Sequence, residues 1–136
     1  MNLIRILIVE DDYVLNASMS GMLEDMGVFV TSVYCGKEAI STIDRGEYLK
    51  ALLTDFDLGP GPSGLDVAQH ARKHYPRLPV VFVSGAADAP GAVGEVPGSV
   101  LIPKPFLPYQ IRDALGLAGG LAAVQVRGLD PKIESG

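Results

Sequence analysis

Four polar groups in this chain stand where short hydrophobic runs end. Glu10-Asp11-Asp12 follows Ile6-Leu7-Ile8-Val9, Asp55 follows Leu52-Leu53-Thr54, Ser84 follows Val80-Val81-Phe82-Val83, and Lys104-Pro105 follows Val100-Leu101-Ile102. Carboxylate oxygens are the hard donors that Mg2+ prefers, usually one or two of them with waters completing its shell. A carboxylate can also act as a nucleophile and carry a phosphoryl group when a nearby cation offsets the repulsion between the anions. Ser84 adds a hydroxyl and Lys104 an ammonium, both suited to phosphoryl oxygens. The combined chemistry is that of a magnesium and phosphoryl site.

Taken singly, each residue has a plainer explanation. Acids after a strand often cap the next helix and favour its positive end; this accounts for Asp12 but not for Glu10, which precedes the cap. Asp55 could simply start a turn, Ser84-Gly85 could be one, and Lys104 could be a solvated surface group. Asp57 places a second acid two residues beyond Asp55, where the chain can point its side chain elsewhere. The proline after Lys104 adds a feature of its own, because an X-Pro bond can be cis and so aim the preceding side chain inward. What singles these residues out is their conjunction, in order, at the ends of apolar runs.

The elements that must position them alternate between apolar runs and helical patterns, the signature of βα units around a parallel sheet. Strands are predicted over residues 5–9, 28–33, 49–54, 79–84 and 99–102. Leu15, Met19, Met22, Leu23 and Met26 form one apolar helix face behind an Asp12 N-cap, with Gly27 as the stop. Further helices are predicted over 37–45, ended by Gly46, over 64–75, ended by Pro76, and from Pro108 with Ile111, Leu115 and Ala118 inward. The 58–63 loop is rich in glycine and proline. Between the fourth and fifth strands the 88–98 stretch carries Pro90, Gly91, Gly94, Pro97 and Gly98. Each interior glycine costs a helix about 1 kcal/mol and each proline about 3, so one or two turns at most are predicted there. In an open parallel sheet the carboxyl ends of the strands lie along one edge, so the four polar groups can converge.

With 136 residues the chain makes one domain, and 48% hydrophobic and 20% charged residues are the balance of a soluble globular protein. A formal net charge of −5 and a pI near 4.8 argue against nucleic acid and anionic membranes as partners. The single cysteine, Cys35, cannot form an internal disulfide and fits a reducing compartment. Arg5 and Glu10-Asp11-Asp12 break the N-terminal apolar run, so neither a signal peptide nor a membrane span is expected and a cytoplasmic location is. Residues 1–118 are read as the domain and 119–136, after Gly119-Gly120, as a flexible tail too short for a DNA-binding domain. Met1 and the short approach to the first strand favour a natural start.

Over residues 3–118 the chain resembles the receiver domain of two-component response regulators, including the chemotaxis-regulator type. Glu10 and Asp11 match the family's acidic pair, Asp55 its phosphoacceptor, Ser84 its Thr/Ser, and Lys104-Pro105-Phe106 its Lys-Pro-Phe. The resemblance implies a flavodoxin-like α/β fold, a doubly wound five-stranded parallel sheet in the order 2-1-3-4-5, here with a degenerate fourth helix. It implies Mg2+ held directly by Asp11 and Asp55, by Glu10 partly through water, and by the backbone carbonyl of Asp57. It also implies in-line transfer from a phosphohistidine, on a histidine kinase or phosphotransfer protein, to Asp55. Such a domain signals by contact with a downstream protein and is no enzyme beyond assisting its own phosphorylation and dephosphorylation. Leu101 stands where the family usually has an aromatic residue that swings inward on activation, and Asp57 where it tunes hydrolysis.

Other classes fit less well. Asp55-Phe56-Asp57 looks like the Asp-x-Asp of haloacid dehalogenase-like phosphatases, but those place it after the first strand and leave Glu10-Asp11 unexplained. Topoisomerase-primase folds pair a Glu with a later Asp-x-Asp, against which stand the chain's acidity and Lys104-Pro105. The stronger alternative is a receiver-fold binding module largely independent of phosphorylation, motivated by Leu101 and the broken helix. Crowding of Glu10, Asp11 and Asp55 also predicts that Asp55→Asn raises the melting temperature of the metal-free protein.

Overall fold

The β-branched and leucine-rich runs form five strands: β1 (Arg5–Val9), β2 (Phe29–Val33), β3 (Ala51–Asp55), β4 (Val80–Ser84) and β5 (Val100–Pro103). Four helices are present among the described residues, 5–85 and 94–117, of this computed structural model: α1 (Tyr13–Asp25), α2 (Gly36–Asp44), α3 (Gly64–His74) and α4 (Pro108–Leu117). All strands are parallel, in the order β2-β1-β3-β4-β5. The doubly wound sheet expected from the sequence is therefore the one observed.

Strand alternation divides the core in two. Ile6, Ile8, Leu53, Val81, Val83 and Ile102 face α1 and α4, meeting Met19, Leu23, Ile111 and Leu115. Leu7, Val9, Leu52, Val80 and Phe82 face α2 and α3, meeting Ala39, Ile43, Val67, Ala68 and Ala71. Every residue of β3 and β4 is buried, as in a sheet covered on both faces. Sheet growth runs outward from β1 in both directions, so the switch in winding falls between β1 and β3, where such folds open a crevice.

Element ends follow local chemistry. Asp12 caps α1 by accepting from the Leu15 N–H at 3.0 Å, and Gly27 takes the left-handed φ of 86° that ends it. Ser63 and Asp66 form a reciprocal capping box at α3, a feature hidden in the sequence inside what reads as loop. Asp55 is itself the last residue of β3 rather than the first beyond it, and Ser84 ends β4 as the sequence predicts. The ladder continues through Asp55↔Val83 and Ser84↔Pro103, which holds both backbones in place. Of the 88–98 stretch, residues 94–98 form turns, with Val96 buried. The rest of that stretch, Ala118 and the 119–136 tail lie outside the described residues.

Candidate functional site

β1, β3, β4 and β5 end side by side, and the groups picked out from the sequence meet there. Glu10, Asp11 and Asp55 each bring a carboxylate oxygen within 4.8 Å of the others. Lys104 reaches from the end of β5 across β4 and β3, donating from Nζ to Asp55 Oδ2 at 2.7 Å and to Glu10 Oε1 at 3.1 Å. Its peptide to Pro105 is cis. Ser84, 3% exposed, closes β4 beside this group, and its carbonyl accepts from the Lys104 N–H at 2.8 Å.

Three carboxylates thus face one ammonium. Glu10 carries the imbalance. It is fully buried, and burial, with repulsion from Asp55 and contact with Asp11, pushes its carboxyl up to about 7 against the pull of the Asp12 N–H and Lys104. Burial draws the Lys104 ammonium down, but bonding and attraction to Asp55 and Glu10 outweigh it and leave the group above its ordinary value. Surplus negative charge on hard oxygens is a donor set that fits a divalent cation such as Mg2+. Asp57 behaves differently. Its N–H donates to Asp55 Oδ1 at 3.1 Å, while its own carboxylate is exposed and accepts from the Gly59 N–H at 3.0 Å. Its side chain is thus spent on the turn.

Two supporting residues escaped sequence reasoning. Asn16, 1% exposed, donates its amide to the carbonyls of Glu10 and Val33 at 3.1 and 3.0 Å, tying the β1–α1 connection to β2. Its signal was a polar residue in the inward i, i+3, i+7 stripe with Met19 and Leu23. The sequence predicts Gly64 only as a helix start. A Cβ there would stand 2.0 Å from the Asp55 carbonyl oxygen, so only glycine lets α3 begin against the end of β3.

Leu101, the residue at the expected aromatic position, is half-buried and packs on the core beneath α2 and α3. Beside the carboxylates, a groove of about 680 Å³ between α1 and the β5–α4 connection is lined by Asp12, Val14, Leu15, Met22, Lys104 and Phe106. Among the described residues no helix is long and apolar enough to cross a membrane.

The family model for the response regulator receiver domain matches residues 6–116. Nodulation protein W of Bradyrhizobium diazoefficiens is 26% identical over 112 residues, covering 81% of this chain and 48% of that protein. The chain therefore spans about half the length of that curated relative. Among solved structures, a response regulator receiver protein from Sinorhizobium medicae superposes with a TM-score of 0.80 at 32% identity, over 85% of this chain and 93% of that one. The receiver domain of a sensor histidine kinase from Pseudomonas aeruginosa, solved with magnesium in its active site cleft, shares the fold at a TM-score of 0.75 and 23% identity, over 86% and 98%. From the first strand to the last helix, then, the chain belongs to the response regulator receiver domains of two-component signalling.

Proposed function

We propose that this domain accepts a phosphoryl group on Asp55 from a phosphohistidine of a histidine kinase or phosphotransfer protein. The observation that carries the reading is the Lys104–Asp55 contact at 2.7 Å within an acidic cluster whose Glu10 and Asp55 are buried. An isolated surface pair would be worth little, but here the cation is held over the one carboxylate that ends a central strand. An Asp55 oxygen attacks phosphorus in line, the P–N bond breaks, and the imidazole leaves and takes up a proton. Lys104, now paired with Asp55 Oδ2, turns to the phosphoryl oxygens as charge moves onto them. Ser84, the last residue of β4, donates its hydroxyl to the new acyl phosphate and so couples it to the β4 end. The Asp57 N–H steadies the other Asp55 oxygen.

Glu10, Asp11, Asp55 and the Asp57 carbonyl are the groups that would hold Mg2+, as the Pseudomonas aeruginosa receiver holds it in its own cleft. When bound, the ion supplies neutralisation of the incoming phosphoryl oxygens. The apolar groove shares Lys104 with the site, so a partner helix seated there brings its histidine to Asp55.

Intact mass after incubation with Mg2+ and a small acyl phosphate tests the reading. One added phosphoryl group, lost without Mg2+ and in Asp55→Asn, supports it. An adduct that persists in Asp55→Asn refutes the assignment of the acceptor.

A further inference from the structure

At the opposite edge of the sheet lies a second cluster that this function does not use. α2 and α3 carry the chain back toward the amino ends of the parallel strands, so their last turns stand at the pole away from Asp55. Asp44 ends α2, and His70 and His74, spaced i and i+4, share one face of the last turns of α3. Both imidazoles converge on one oxygen: Nε2 of His70 is 2.7 Å and Nε2 of His74 is 3.2 Å from Asp44 Oδ1. The three donor atoms all lie within 4.8 Å of one another.

We infer that Asp44, His70 and His74 form a binding site for a divalent transition-metal ion of the zinc class, bridging α2 and α3. An ion pair needs only one histidine; two imidazoles aimed at the same carboxylate oxygen have the arrangement of a chelate. Zinc–nitrogen bonds of about 2.0–2.1 Å place tetrahedral donors about 3.3 Å apart, close to the 2.7 and 3.2 Å already present. Small rotations of these partly exposed side chains suffice. Two imidazoles and a carboxylate favour zinc, nickel, cobalt or copper over magnesium, so the site differs in metal preference from the all-oxygen cluster around Asp55. Coordination through Nε2 leaves the ring proton on Nδ1. One position stays open for water or an outside donor. Glu47 lies in the turn after α2. Its Oε1 is the buried side-chain atom without a hydrogen-bond partner among the described residues, and its carbonyl accepts from the Tyr75 hydroxyl, next to His74.

Calorimetric titration of the full chain with Zn2+, in a saturating background of Mg2+ to fill the acidic cluster, tests the inference. One equivalent should bind with release of protons. His70→Gln, His74→Gln and Asp44→Asn should each weaken it about tenfold or more, while Asp11→Asn leaves it unchanged. Co2+ in place of Zn2+ should give visible absorption that the histidine variants lose. Absence of binding, or binding that survives both histidine substitutions, overturns the site. So does binding abolished by Asp11→Asn alone, which would assign the zinc to the carboxylate cluster.

Discussion

Replacing Glu10 by Gln in the metal-free protein should stabilise the fold, and should do so only at neutral and alkaline pH. The carboxyl is fully buried and is raised from 4.5 to about 7 by burial first and by Asp55 and Asp11 after it. The folded chain therefore holds this proton more tightly than the unfolded chain. Below about pH 4.5 both states keep it and nothing is lost; as pH rises from there to about 7 the folded state loses stability, and above about 7 the whole cost is present. At roughly 1.4 kcal/mol per tenfold change in proton affinity, the cost is about 3 kcal/mol as an upper bound. Glutamine removes the charge, keeps an acceptor for the Asp12 N–H, and turns its amide toward Lys104, a mismatch costing about 1 kcal/mol. Urea denaturation in chelator should show Glu10→Gln about 2 kcal/mol more stable than the parent at pH 8 and no more stable at pH 5. Groups common to both proteins, His70 and His74 included, cancel in the difference. Mg2+ should close most of the gap at pH 8 by stabilising the parent. A difference between variants that is the same at both pH values would refute the charge argument.

Asp55→Asn, by the same measurement, should gain less than Glu10→Gln, because Asp55 has the shorter contact with Lys104, at 2.7 against 3.1 Å, and loses it. Gly64→Ala should destabilise by about 1–3 kcal/mol or more, since the added methyl meets backbone at 2.0 Å. Gly21→Ala, with nothing within 4 Å, should instead stabilise α1 by about 0.5–1 kcal/mol, and urea midpoints would show both. Asn16→Ala should cost about 1–3 kcal/mol by removing the donor to the buried Glu10 carbonyl, the Val33 carbonyl keeping the Glu10 N–H, and should also weaken Mg2+ binding, read by calorimetry; a stability loss without a binding loss would deny that Asn16 positions Glu10. If Leu101 still transmits phosphorylation, partner affinity should shift more than about tenfold, or roughly 1.4 kcal/mol, on modification; equal affinities would favour the binding module that acts independently of phosphorylation.

The βα alternation, the strand cores and the residues that gather at the site are legible in the order of residues. Hydrophobic runs bounded by Glu10, Asp55, Ser84 and Lys104 carry their period and their punctuation locally, and a parallel sheet leaves such endings only one shared edge. The Asp12 cap and the Gly27 stop were legible for the same reason, being settled within a few residues. The three-dimensional packing settled how charge is shared. Nothing local distinguishes Glu10 from Asp11, yet one is fully buried beside Asp55 and the other exposed, so the cost of crowding falls on Glu10 and shifts the expected gain away from Asp55→Asn. It likewise decided that Asp57 serves its own turn, that Asn16 ties β1 to β2, and that Gly64 must lack a side chain. The meeting of Asp44 with His70 and His74 depends on two helices packing side by side across 26 residues of chain, and no spacing within either helix reveals it.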